Sequence, residues 1–287
     1  MSLALAKLKP WRFTTPSVLP GFAPAFGYTL IYLGLIVLAP LSALVWRASG
    51  LGFDGLYRVA TEPRVAAGLS TSFTISFAAA AIDVVFGLLA AWVLTRYRFP
   101  GRGLLDAAID LPFALPTAVA GISLAALYAP NGFFGAPLLQ LFGVKVAFTR
   151  LGILVALIFV GLPFIVRTVQ PVILEFEPEL EEAAATLGAS RARVFWTVIL
   201  PPLLPPLLTG FALAFARAVG EYGSVIFIAG NIAYVSEIAP LLIVVKLEQY
   251  DYAGATGIAT IMLAFSFLAL LAINLIQAWS RKRLGHV

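Results

Sequence analysis

The chain has 287 residues, 61% hydrophobic and only 11% charged, where an ordinary soluble domain carries about 25% charge. This excludes a soluble globular domain, and the absence of cysteine excludes disulfides, thiolate metal sites and a cysteine nucleophile. The formal charge of +5 points to Lys and Arg on loops flanking a membrane rather than to nucleic acid, and the one histidine, His286, sits at the C-terminal tail, a poor place for a ligand or a base.

In chain order, residues 1–25 carry Lys7, Lys9 and Arg12 among scattered prolines and read as a basic tail at the membrane surface. Six apolar runs follow, each near the ~20 residues that a bilayer core requires. The first is Phe26 to Trp46. Its apolar stretch is long for a signal sequence and ends in VWRASG with no small-residue cleavage site, so a retained helix is expected. The second run is Ser70 to Tyr97, the third Leu104 to Tyr128, and the fourth Leu151 to Ile173. The fifth is Leu207 to Ile228 and the sixth Ala253 to Trp279, with a short basic tail at 280–287. A transmembrane barrel would alternate apolar and polar residues, whereas LGILVALIFVGL is apolar on every side. The expected architecture is therefore an all-α integral membrane protein with a six-helix domain over 26–279.

Proline and glycine add detail. Pro112, Pro116 and Pro163 are expected to interrupt the third and fourth spans. The run PPLLPP, Pro201 to Pro206, is expected to form a stiff corner before the fifth span. Between the third and fourth spans, Ala129 to Thr149 combines turn signals with a short apolar piece and reads as a surface helix.

Orientation follows from the basic residues. With the N-terminus inside, twelve fall on the cytoplasmic side (Lys7, Lys9, Arg12, Arg96, Arg98, Arg102, Arg167, Arg191, Arg193, Arg281, Lys282, Arg283). Six fall outside: Arg47, Arg58, Arg64, Lys145, Arg150 and Lys246. This bias places both termini in the cytoplasm.

One cytoplasmic loop, 175–202, breaks the apolar pattern. Pro178 suits a first helical turn, and Glu179, Glu181 and Glu182 favour the positive end of a helix. Leu180, Ala184 and Leu187 form an apolar stripe, Gly188 suits a helix stop, and Ser190 suits the cap of a second helix that Pro201 and Pro202 end. Arg191 and Arg193 sit in that second helix's first turn, where the macrodipole disfavours cations unless anionic lipid or an acidic partner offsets them.

The spacing Glu182-Ala183-Ala184, three residues, Gly188, nine residues, Val198, one residue, Leu200-Pro201 resembles the EAA loop of the permeases of ABC importers. Val198 in an isoleucine slot is the one departure. The resemblance implies that Glu182, Ala183, Ala184, Gly188, Arg191, Arg193, Leu200 and Pro201 form coupling helices that dock into a cleft of a separate ATPase subunit. The stretches DLPFALPTAVAG (Asp110 to Gly121), FARAVGEYGSVIFIAGN (Phe215 to Asn231) and EIAPLLIVVKLEQYDYAGATGIA (Glu237 to Ala259) resemble the T-type permeases of sulfate and thiosulfate importers. That resemblance covers the chain from Phe26 onward. It implies a type I importer fold in the bacterial inner membrane, a W-type permease partner, two ATPase subunits that bind ATP and Mg, and a periplasmic sulfate-binding protein. Molybdate or tungstate is the alternative cargo. The chain itself has no G-x-x-x-x-G-K-[ST] phosphate loop, so it is not expected to be an enzyme and holds no cofactor or metal of its own.

Inside the spans, Arg217 and Glu221 lie four residues apart on one helix face. They read either as a structural ion pair or as a cation steering a dianion along the path. A path that bound sulfate tightly would trap it, which argues against strong anion pairing. Gly220 and Gly223 flank Glu221 and allow close helix approach. Asp83 in the second span is a similar case, read as structural before path-lining, and with Thr117 in the third it completes the residues expected to line the path or to form a structural pair. A secondary anion transporter would need an ion relay in its spans, and Asp83, Arg217 and Glu221 make a thin one.

Overall fold

The computed structural model of the protein describes residues 21–283, with side chains through Trp279. The described residues are helical and loop, with no strand among them. The chain divides into two compact units, residues 1–46 and 47–287. The described part of the first comprises α1 (Phe22–Leu33), a wider π-type turn (Gly34–Leu38) and most of α2 (Ala39–Ser49), one helical run of apolar residues. Most of the expected basic tail lies outside the described residues.

The second unit starts with α3 (Gly52–Thr61) and α4 (Pro63–Arg96), a 34-residue helix that takes Pro63 at its first turn. The third expected span is broken into α5 (Arg102–Ile109), α6 (Leu111–Ala114) and α7 (Thr117–Tyr128). The breaks fall at Asp110, before Pro112, and at Leu115, which takes an extended conformation before Pro116. A residue preceding proline is sterically driven out of the helical region, so the break at Leu115 follows from sequence, whereas Leu111 before Pro112 stays helical and opens α6 with the proline in its first turn. Then come α8 (Gly135–Phe142), the surface helix expected between spans, and α9 (Arg150–Glu175). Pro163 does not interrupt α9, contrary to expectation; it lies inside the helix with Pro171. Pro163 is buried, and a proline packed by neighbouring helices removes a hydrogen bond without ending the helix.

Helix α10 (Pro178–Thr186) and α11 (Arg191–Val194) follow, then a π-type turn (Phe195–Ile199) that leads without a break into α12 (Leu200–Val219). The expected stiff corner at Pro201–Pro206 is therefore corrected: these prolines stand in a continuous helical run, Arg191–Val219. The π-type turn supplies the reason. Its i→i+5 bonding widens the backbone just before Pro201 and Pro202, where a regular ladder would lose bonds and clash with the rings. The fifth span thus begins some turns earlier than the hydropathy suggested and ends at Val219. The tail of the expected span is a separate single turn, α13 (Val225–Ile228). The chain closes with α14 (Ala239–Glu248), which the sequence reading had not placed, and α15 (Tyr252–Arg283).

Five described helical runs are long and apolar enough to cross a membrane: Phe22–Ser49, Pro63–Arg96, Arg150–Glu175, Arg191–Val219 and Tyr252–Trp279. Lipid tails are as apolar as Leu, so such helices associate through packing rather than through escape from water. In the second unit, α4, α9 and α12 pack on one another around Leu94, Ile165, Val166, Val169 and Leu203, and α15 packs on α12 and α14. Ion pairs tie the ends of the helices. In the second half of α9, Arg167 donates to Asp106 Oδ1 of α5 at 2.7 Å and to Oδ2 of Asp110, at the α5–α6 break, at 2.6 Å. At the opposite end of α4, Arg64 makes a two-pronged contact with Glu237 at 2.8 and 2.7 Å, and Arg150 donates to the backbone carbonyls of Val235 and Tyr234. The loop before α14 is thereby clamped from two helices. Outside the spans, Asp251 caps α15 by accepting from the Gly254 N–H at 2.8 Å, and that bond holds its carboxyl below the usual carboxylate range.

Candidate functional site

The charged segment between α9 and α12 folds locally much as its sequence dictates. Helix α10 starts at Pro178 with Glu179 and Glu181 in its first turn. It ends in a Schellman arrangement. The Ala189 N–H donates to the Ala184 carbonyl at 3.1 Å and the Gly188 N–H to Ala185 at 2.9 Å, with Gly188 at φ +81°. Ser190 then caps α11, its hydroxyl accepting from the Arg193 N–H at 3.4 Å. The two helices joined at a glycine are present; only the second helix's end differs, since it continues into α12.

Exposure gives this segment its character. Glu182, Ala183, Gly188, Arg191 and Arg193 are exposed, and Ala184, Leu200 and Pro201 are half-buried. The expected apolar stripe is not turned inward: Leu180 is half exposed and Leu187 is 88% exposed. Leu187 and Trp196 are left apolar and bare beside charges. A strip of small alanines, two bare apolar side chains and flanking charges is the composition of a surface made to be covered.

The second cluster lies where α12 ends. Glu221 is 3% exposed and forms an ion pair with Arg217, one turn back in the last turn of α12. Its other oxygen, Oε1, accepts from the Ser224 N–H and the Ser224 hydroxyl, both at 2.9 Å. Arg217 remains partly exposed. Sequence reasoning missed Ser224; its spacing three residues after a buried acid was the available signal. The structure also places the pair at a helix break rather than within a continuous span. Gly220 to Ser224 form a bend, which Gly223 and Gly121 allow to nest on the first turns of α7. A Cβ at Gly223 would come within 2.1 Å of Thr117 Oγ1, and one at Gly121 within 2.3 Å of the Ser224 carbonyl oxygen. Thr117 is thus brought to the Arg217–Glu221 bend. Two broken helices, α6/α7 and α12/α13, meet here.

Gly121→Ala is accordingly expected to cost about 1–3 kcal/mol, since the added methyl meets backbone rather than a movable side chain. The measurement is the thermal midpoint in detergent. Gly103→Ala, where nothing lies within 4 Å of the added carbon, serves as the unaffected comparison.

Asp83 does not join this cluster. It is 0% exposed on α4, and neither of its carboxylate oxygens has a hydrogen-bond partner. It faces Gly161 of α9, where a Cβ would come within 2.2 Å of Asp83 Oδ2. The candidate path residues thus separate into a bend cluster of Arg217, Glu221 and Thr117, and an isolated buried acid between helices.

Comparison with known proteins adds the following. Residues 83–286 match the family described as binding-protein-dependent transport system inner membrane component. The chain is 52% identical to the sulfate transport system permease protein CysT of Salmonella typhimurium, over 94% of this chain and 97% of that one. It is 53% identical to the CysT protein of Synechococcus elongatus, over 90% of this chain and 92% of that one. Among solved structures, a bacterial ABC transporter involved in import of the acidic polysaccharide alginate matches with a TM-score of 0.72 at 15% identity, over 89% of this chain and 94% of that one. The MetNI methionine ABC transporter matches with a TM-score of 0.54 at 18% identity, over 74% and 94%. The two structural likenesses concern the fold.

Proposed function

We propose a transport role from one premise: the chain belongs to the family of binding-protein-dependent transport system inner membrane components. It is an inner-membrane permease subunit of an ABC importer that moves sulfate, and thiosulfate with it, from the periplasm to the cytoplasm. The observation that carries this reading is the Glu182-to-Pro201 segment, exposed from Glu182 to Arg193 at most positions and folded as a helix, a left-handed glycine and a second helix, in a chain about half identical to sulfate permeases. Sulfate in those relatives' names favours sulfate over molybdate or tungstate as cargo.

The mechanism follows from the division of labour. This chain carries no phosphate loop, so ATP and Mg belong to two partner ATPase subunits. Those subunits seat on α10 and α11, where Glu182 and Arg191 supply charge and Ala183, Ala184 and Gly188 permit close approach. A W-type permease completes the pathway, and a periplasmic sulfate-binding protein delivers the anion at the far side. Both termini lie in the cytoplasm by the Lys and Arg distribution. The bend cluster lines the path. There Arg217 is held by Glu221, so its charge steers a dianion without binding it tightly enough to retain it.

ATP-dependent uptake into vesicles carrying the full set of subunits tests this. Radiolabelled sulfate should accumulate only with ATP, and excess molybdate should compete poorly. Uptake of molybdate with sulfate ignored would overturn the cargo assignment.

A further inference from the structure

Arg96 has no part in the spacing pattern described above, yet it occupies a singular position. It is the last residue of α4, the long helix that packs on α9 and α12. Its guanidinium Nη2 donates to Glu181 Oε1 of α10 at 2.6 Å. Its guanidinium carbon lies 5.1 Å from the ring centre of Trp92 and 5.8 Å from that of Phe176, within the range of about 6 Å where a cation is attracted to an aromatic face. Its Nε is buried without a hydrogen-bond partner. The side chain is thus fixed by two rings and one carboxylate, and it retains this geometry despite leaving a buried donor unmet.

The surroundings show what the contact does. Helix α10 is joined to the rest of the chain by non-helical links at both ends. Phe176 and Glu177 are extended before it, and Gly188 is left-handed after it. Between α4 and the α10–α11 pair lies a cavity of about 570 Å³, lined by Leu88, Leu89 and Trp92 of α4, Glu182 and Ala185 of α10 and Arg191 of α11. Glu181 lines that cavity too, and its bond to Arg96 joins α10 to the end of α4 beside it. Helix α4 then runs about 50 Å at 1.5 Å per residue to the Arg64–Glu237 clamp at its other end.

We propose that Arg96 is a positioning residue for coupling: through Glu181 it links α10 to α4, so that displacement of α10 moves the transmembrane helix. This inference rests on the ATPase-driven reading of α10 given above. Arg96 and Glu181 act between two elements of this chain, whereas Glu182 and its neighbours form the surface that meets the motor. Loss of the pair therefore leaves the motor attached and lets it run without moving the bundle.

The test uses the complete transporter in proteoliposomes with Arg96→Glu, Glu181→Arg, the exchanged pair Arg96→Glu with Glu181→Arg, and Arg96→Lys. Three quantities are read: ATPase recovery on purification, ATP hydrolysis, and sulfate taken up per ATP. Each reversal should lower uptake per ATP about tenfold, the scale of coupling energies between contacting residues, with ATPase recovery unchanged. The exchanged pair should recover most of that loss. Arg96→Lys, which keeps the charge but loses the flat face on two rings, should fall between. Unchanged uptake per ATP in Glu181→Arg would overturn the proposal, as would equal losses in the exchanged pair and both singles. Glu181→Arg decides the matter if Arg96→Glu does not fold, because Glu181 lies on a helix largely open to solvent. Absence of ATP-driven uptake or of ATPase recovery in the wild-type assembly would overturn the transport reading itself, a result distinct from either of these.

Discussion

Replacing Arg217 with alanine is expected to destabilise the protein more than replacing Arg217 and Glu221 together. The reason is the unequal burial of the pair. Glu221 is 3% exposed, while the Arg217 side chain is 38% exposed. Removing Arg217 strands a buried carboxylate whose remaining support is the Ser224 N–H and hydroxyl. Breaking a buried pair on one side costs about 3–5 kcal/mol, and the exposure of Arg217 puts this case at the lower end. Removing both charges leaves no orphan charge. It matters what replaces Glu221, however. Alanine deprives the Ser224 N–H of its acceptor, about 1–3 kcal/mol, whereas glutamine keeps an amide oxygen in its place. The expected order of thermal stability in detergent is wild type, then Arg217→Ala with Glu221→Gln, then Arg217→Ala with Glu221→Ala, then Arg217→Ala alone. Strictly additive effects would refute the pairing. Uptake then separates structure from steering. If Arg217 acts on the anion, the stable double variants transport as poorly as the single one; if it acts only on the fold, they recover transport with stability.

The bend that holds this pair also shows how far the sequence reached. The ion pair itself was legible, because a spacing of four residues suits a contact one helical turn apart, although Glu221 falls just past the end of α12. The helix break was not. FARAVGEYGSVIFIAGN is apolar enough to read as one span, and the hydropathy of Val225 to Ile228 hides that the chain turns at Gly220. Hydropathy reports what lipid tolerates, not where a backbone bends, and the bend depends on Gly223 and Gly121 fitting a neighbouring helix that is distant in sequence. The same limit explains PPLLPP. Proline chemistry predicts a corner, whereas a π-type turn, a feature without a local signature, precedes Pro201 and Pro202, and Pro205 and Pro206 are held inside α12. By contrast α10, Gly188 and the Ser190 cap were readable to the residue, since each rests on local chemistry: proline at a helix start, a left-handed glycine, a hydroxyl cap. Arg96 escaped notice because its partner is 85 residues away. Leu180 and Leu187 were legible as a stripe but not as an outward one, for a periodicity does not say whether the chain or a partner covers it.

That outward stripe sets up the other large expected effect. Gly188→Asp and Glu182→Lys should each leave the permease in the membrane at wild-type level while sharply reducing ATPase attachment and transport. Neither residue is part of the packed bundle, and both are exposed, so neither change removes a core contact. Gly188 acts through the backbone. At φ +81° it sits in the left-handed region, where a residue with a Cβ pays about 1–2 kcal/mol. Aspartate tolerates that region better than most side chains, but it also places a negative charge at the carboxyl end of α10, where the macrodipole disfavours it. The Schellman bonds from Gly188 and Ala189 to Ala185 and Ala184 then weaken, and the angle between α10 and α11 is lost. Glu182→Lys acts through charge instead, reversing the sign of an exposed residue beside Ala183 on the face proposed to meet the ATPase. Co-purification from detergent reads attachment, and vesicle uptake reads coupling. Gly188→Ala gives a graded comparison, with the backbone cost but no added charge, and should retain more ATPase than Gly188→Asp. Full ATPase recovery with unchanged uptake in both Gly188→Asp and Glu182→Lys would remove α10 and α11 from the motor interface and leave them as an interfacial helix pair lying on lipid.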